Sequence, residues 1–227
     1  MKKAILRLKN LAKDFNLKFD SRKFNVVFLP KEDVIIYLYL VGCPDKEYSK
    51  YGQTQNQRIK NIERFLKSKE FSILKKRYAG TIIEKKSIRK IKVKNIKNLG
   101  IRQRCNKIIF NLKRKESQAA LLPIIRNKKE RKFLINVVLL HEWIHTLLLY
   151  NGINFQKKTK YKWYLDEGLA NYLMLFSETG KTDVKVKTKN FQMKKGLLIW
   201  NRLLKDKLTP KNRYNTIIDY LKRETKK

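Results

Sequence analysis

A chain of 227 residues with 42% hydrophobic and 11% aromatic content has enough apolar surface for a packed core, which excludes wholesale disorder. Its 56 Lys+Arg against 19 Asp+Glu leave a formal charge of +37, which attracts nucleic acid, anionic membranes or acidic proteins. The alternative origin of that charge is a compositional bias, because the lysines are spread along the whole chain. Two cysteines, Cys43 and Cys105, stand in no metal-binding spacing, form no disulfide framework and fit a reducing cytoplasm. Arg7 and Lys9 interrupt the apolar residues after Met1-Lys2-Lys3, so a signal-peptide core is not expected. The longest apolar run, Leu134 to Tyr150, contains Asn136, His141, Glu142 and His145. A membrane-embedded enzyme would need further spans of about 20 apolar residues. The expectation is therefore a cytoplasmic protein with no transmembrane segment.

In chain order, Ile5, Leu8, Leu11, Ala12, Phe15 and Phe19 fall at helical spacing between lysines and predict an amphipathic helix over residues 3–19. The runs Phe24–Leu29 and Val34–Val41, punctuated by Pro30 and Lys31-Glu32-Asp33, read as two strands and a turn. Residues 45–78 are polar and then helical, with Ile59, Ile62, Phe65 and Leu66 as the apolar stripe. Ile91 and Val93, and then Ile108, Phe110 and Leu112, alternate with polar residues and predict half-buried strands with basic outer faces. A connection is expected over Ser117–Pro123.

A long helix follows from Lys128 to Tyr150, with Leu134, Val137, Val138, His141, Ile144, His145 and Leu148 facing inward and Asn151-Gly152 ending it. Gln156 to Lys162 reads as a surface loop, Tyr164 to Ser177 as a second helix, and Thr179-Gly180-Lys181-Thr182 as a loop. Met193 to Leu204 predicts a third helix, and Thr209 with Pro210 opens a fourth carrying Tyr214, Ile217, Ile218 and Leu221.

The chemistry is concentrated at His141-Glu142-Trp143-Ile144-His145, which holds both histidines of the chain. Positions i and i+4 share a helix face, so two imidazoles can converge on one metal ion. Glu142, one residue round, can reach a water there without being a ligand. Catalytic zinc usually takes three protein ligands, and with no third histidine the missing one must be a carboxylate. Glu167, in Trp163-Tyr164-Leu165-Asp166-Glu167-Gly168-Leu169-Ala170 on the next expected helix, is the candidate.

These two motifs resemble the gluzincin metallopeptidases, the thermolysin-like and aminopeptidase-like clan with a His-Glu-x-x-His helix and a downstream glutamate. The likeness covers His141–His145 and Trp163–Tyr172, under a tenth of the chain. It implies Zn2+ held by His141, His145 and Glu167, with Glu142 as general base. It also implies an orienting role for Asn171, four residues after Glu167, where relatives carry an aspartate. Its alternative is a helix-surface amide, and Asp166 is read as a cap or a group supporting the ligands. No third histidine is present to stabilise an oxyanion, which leaves Tyr214, Tyr220 and Arg213 as candidates.

Separately, Tyr37, Tyr39 and Tyr51-Gly52 followed by Arg58 resemble a GIY-YIG nuclease module, with Glu84 in the metal-binding role; the alternative is tyrosines in strands beside a glycine turn.

The fold expected from the gluzincin likeness is α+β and zincin-like: a mostly antiparallel sheet forms an upper lobe, with the active-site helix between it and a helical lower lobe. The N-terminal helix would occupy residues 1–19, the sheet 20–115 and the helical lobe 116–227, within one catalytic domain. By analogy Ile108–Leu112 is the edge strand that would align an extended substrate. The expected function is a zinc-dependent endopeptidase acting on polypeptides, acidic or DNA-associated ones among them. The alternative is a basic nucleic-acid-binding protein whose zinc site is structural or degenerate.

Overall fold

The computed structural model describes residues 1–41, 50–52, 54–77, 81–83, 92–113, 119–155, 160–183 and 191–226. Two compact units divide the chain: Met1–Arg22 with Ile135–Lys227, and Lys23–Leu134. The first helix, α1 (Lys2–Asp14), thus belongs with the C-terminal helices, and the boundaries expected near residues 19 and 115 move to 22 and 134.

The described part of unit Lys23–Leu134 is mostly helical. Its order is β1 (Asn25–Leu29), α2 (Lys31–Val41), α3 (Gln55–Lys60), α4 (Ile62–Leu66), α5 (Lys69–Arg77), β2 (Thr81–Ile83), α6 (Leu99–Lys113), β3 (Ala119–Pro123) and α7 (Lys128–Phe133). The strands form one small sheet in the order β1-β3-β2, parallel between β1 and β3 and antiparallel between β3 and β2. The expected antiparallel upper lobe is therefore not the fold.

Three segments explain the difference. Val34 to Leu40 is a strand-like run by composition, yet every residue in it is buried on α2. A continuous apolar run does not distinguish a buried strand from a buried helix. Here the ends decide: Pro30 accepts bonds from the backbone N–H groups of Asp33 and Val34, and Glu32 and Asp33 occupy the electropositive first turn. Arg104 and Lys75 pair with those acids and anchor that turn. Second, Ile108–Leu112 lies within α6, where Cys105, Ile108 and Ile109 point inward and Phe110 is 59% exposed. This is the three-and-four spacing of a helix, so the proposed substrate-aligning edge strand does not exist. Third, Ser117–Pro123 was expected as a connection, whereas Ala119–Pro123 is the central strand, with Ala120, Leu121 and Leu122 fully buried. Val93 sits in a 3-10 turn, Val93–Asn95, instead of a strand, and Ile91 lies outside the described residues.

Tyr37 and Tyr39 are helical too, which removes the strands that a GIY-YIG module requires. Tyr39 stacks on Phe65 with centroids 4.1 Å apart, and its hydroxyl donates to the Arg58 carbonyl at 2.8 Å, so it serves the core. Glu84 and Cys43 lie outside the described residues, and Cys105 is buried, its thiol pKa pushed up to about 12 by that burial.

Unit Met1–Arg22 with Ile135–Lys227 is a helical bundle among its described residues. It contains α1, α8 (Leu139–Tyr150), α9 (Lys160–Thr179), α10 (Phe191–Leu204) and α11 (Pro210–Lys226). A π-helical turn, Leu134–Val138, leads directly into α8 and shifts its phase. Val137 and Val138 are consequently half-buried, while Leu139, Leu140, Trp143, Ile144, Leu147 and Leu148 fill the interior. Lys128–Tyr150 is long and apolar enough by length and composition to cross a membrane, and half of its most apolar window is buried.

α8 packs against α1 and α9. Asn151 closes it: its side-chain amide donates to the carbonyls of Leu147 and, at 3.0 Å, Lys18, and its Oδ1 accepts from the Lys18 backbone N–H at 2.7 Å. Gly152 follows with φ 73, the left-handed value that glycine adopts without strain. Thr209 caps α11 by accepting from the Asn212 N–H.

The tightest helix pair is α9 with α10, which meet backbone to backbone. A Cβ on Gly168 would lie 2.4 Å from the Gly196 carbonyl carbon, and one on Gly196 would lie 2.0 Å from the Tyr164 carbonyl oxygen. Trp200, fully buried, donates its indole N–H to the Leu165 carbonyl at 2.8 Å and fixes the register of the pair. Gly196→Ala should therefore lower stability by about 3 kcal/mol, because neither backbone can yield as a side chain would. Gly100→Ala, whose Cβ meets nothing closer than 3.5 Å, should stay within about 1 kcal/mol of the parent. Urea unfolding followed by circular dichroism compares the two.

Candidate metal centre

The two histidines lie one turn apart on α8, and Glu167 faces them from α9. His141 Nε2 and His145 Nε2 are 3.1 Å apart, His141 Nε2 and Glu167 Oε2 are 3.2 Å apart, and His145 Nε2 and Glu167 Oε1 are 3.4 Å apart. For zinc at about 2.0–2.1 Å from each ligand, two corners of a tetrahedron are separated by about 3.3–3.4 Å. The two imidazole nitrogens are close to that separation, and each meets a different oxygen of the Glu167 carboxylate. With one ligand atom from each residue within 4.8 Å of the others, the three side chains can close on one ion. The described residues supply three ligands, which is the number that leaves one position open for water or substrate.

Asp166 completes the support of His145. Its Oδ1 lies 3.4 Å from His145 Nδ1, on the ring nitrogen away from the cluster. A carboxylate there favours the proton on Nδ1 and leaves the Nε2 lone pair for a metal. Adjacent residues on a helix point about 100° apart, and this lets Asp166 and Glu167 embrace the same imidazole from two sides.

Electrostatics also favour a cation. Burial lowers the pKa of His145, but the Asp166 and Glu167 carboxylates outweigh it and hold the pKa well above the ordinary value. Burial alone would raise the pKa of Glu167, and hydrogen bonds from His141 and His145 reverse this and depress it. Glu142, half-buried, has a raised pKa: burial leads, His141 and His145 counter it in part, and Glu167 and Asp166 reinforce it. Three carboxylates around two imidazoles make a negative, poorly solvated site, the setting in which a divalent ion gains most.

The structure thus brings His141, Glu142, His145, Asp166 and Glu167 together. Asn171 is engaged differently from the role its spacing implied: its amide donates to the Glu167 carbonyl at 2.7 Å, a bond one turn back along its own helix. Tyr220 packs edge-on to Trp200 at 5.2 Å with Arg223 over its ring, and Tyr214 is half-buried on α11. Arg213 donates to the carbonyls of Asp14, Lys207 and Leu208, and stacks over Phe15 and Phe176. Its guanidinium serves the bundle. The Gly168–Gly196 approach beneath Glu167 was missed in the sequence, although two glycines inside helical patterns were the available signal.

No family model matches the chain, and neither does any curated protein or solved structure.

Asp166→Asn should weaken zinc affinity about 10–100-fold, as removing a group that orients a ligand does. Asn171→Ala, whose amide serves its own helix, should change it less than about threefold. Competition against a chromogenic chelator measures both.

Proposed function

We propose that the chain is a zinc-dependent peptide hydrolase in which His141, His145 and Glu167 hold the ion and Glu142 is the general base. The observation that carries this reading is the convergence of His141, His145 and Glu167, whose ligand atoms, one from each, lie within 4.8 Å of one another, with Glu142 next to one ligand. Bound zinc would supply a water of lowered pKa and polarise the carbonyl under attack. The chain's own residues do the rest. Asp166 and Glu167 orient His145, α8 presents His141 on the same face, and Glu142 accepts a proton from the water.

The gluzincin-like pattern supports this assignment through the ligand and base positions only. Among the described residues the sheet is the small β1-β3-β2 one and not the antiparallel sheet expected from that clan, so substrate would be aligned by other elements. The +37 charge supports the second reading, a nucleic-acid-binding protein with a structural zinc. Three ligands among the described residues favour the catalytic one, since structural zinc is usually closed by four.

Glu142→Gln separates the two. It should retain zinc to within about threefold and lower kcat on a peptide library about 10²–10⁴-fold, the usual contribution of a general base. Zinc retained by both proteins with cleavage by neither favours the structural reading.

A further inference from the structure

The crossing of α9 and α10 sets a cation against α9 about one turn before Glu167. Gly196 lies against Gly168 and the Tyr164 carbonyl, and Lys195, the residue before it, holds its Nζ 5.3 Å from the centre of the Tyr164 ring. Tyr164 is three residues before Glu167 on α9, on an adjoining face and about 4.5 Å along the axis. Lys195 is thus held against the helix that carries Glu167, about one turn before that ligand. A cation over an aromatic face is restrained in position while its ammonium protons stay available to an anion.

Its charge is also uncompensated locally. The sequence of α10, Phe191–Leu204, contains no acidic residue, and among the described residues Lys195 forms no ion pair. The nearest acids along α9, Asp166 and Glu167, are engaged by His145 and His141. Lys195 is exposed, so an incoming chain can reach it.

We propose that Lys195, seated on Tyr164, is a specificity-determining residue that binds a carboxylate of the polypeptide substrate beside the metal centre. The proposal rests on reading the cluster as a peptide-cleaving centre, and it narrows the substrate class to peptides with a carboxylate close to the bond cleaved. That carboxylate is either an acidic side chain or the free C-terminus.

Binding tests this without turnover. In a Glu142→Gln background, calorimetry compares acetyl-Ala-Glu-Ala-amide, acetyl-Ala-Gln-Ala-amide and acetyl-Ala-Gln-Ala with a free carboxylate. One carboxylate peptide should bind about three- to fivefold tighter than the neutral one, the range for a partly exposed ion pair, and which one it is tells side chain from C-terminus. Lys195→Ala should abolish that preference and Lys195→Glu should invert it, whereas Lys194→Ala, at the exposed neighbouring position, should keep it. The preference should persist after chelator treatment, because it depends on Lys195 and not on the ion; loss of the metal reading is thus seen separately, as absent zinc or absent cleavage. No preference in the parent, a preference unchanged in Lys195→Glu, or an equal loss in Lys194→Ala would overturn the proposal.

Discussion

The close approach of α9 to α10 at Gly168 and Gly196 is the constraint on which the candidate centre depends. Glu167 can face His141 and His145 only if α9 is held at one rotation and one height, and a helix otherwise free on its outer side would slide. Backbone contact at two glycines removes the slack that side chains would introduce, and the bond from Trp200 to the Leu165 carbonyl fixes the register one residue before Asp166. On the other helix, the π-turn Leu134–Val138 sets the rotation at which α8 emerges, and Asn151 with Gly152 ends it one turn beyond His145. The geometry of three donor atoms is thus determined by packing several residues away.

Within that frame the charges are arranged against the ordinary preference of a protein interior. Carboxylates are seldom buried unless paired, and here Asp166, Glu142 and Glu167 surround two imidazoles. Burial lowers the pKa of His145, and the Asp166 and Glu167 carboxylates on its two ring nitrogens outweigh this and raise it. A divalent ion would satisfy the same carboxylates. The cluster is more readily explained as a site built for a cation than as a structural ion pair, since paired buried charges contribute little net stability.

Much of this centre was legible in the sequence, whereas half of the fold was not. The histidine spacing and Glu167 carry their chemistry in their identities, and helical periodicity placed them on facing helices. Asp166 was legible only as a helper, because which imidazole it meets depends on the rotation of α9. The error over residues 20–115 has one physical source. Val, Ile and Tyr on α2 have strand propensity, but a segment buried on all sides takes the conformation its packing and end signals favour. The same override turned the alternating Ile108, Phe110 and Leu112 region into helix, and it hid the central strand at Ala119–Pro123 behind a segment too short to show alternation.

The proposed chemistry follows from the donor set and not from the fold, whose described residues form the small β1-β3-β2 sheet in place of the antiparallel lobe expected from the clan the motifs resemble. Its central claim is that His141, His145 and Glu167 hold one ion. X-ray absorption on the zinc-loaded protein, together with the same measurement on Glu167→Ala, tests it most directly. About one zinc per chain is expected, with imidazole nitrogen and carboxylate oxygen at about 2.0–2.2 Å, and loss of the site in the variant. A chain that takes up no zinc, or a Glu167→Ala variant with unchanged affinity and ligation, would contradict it.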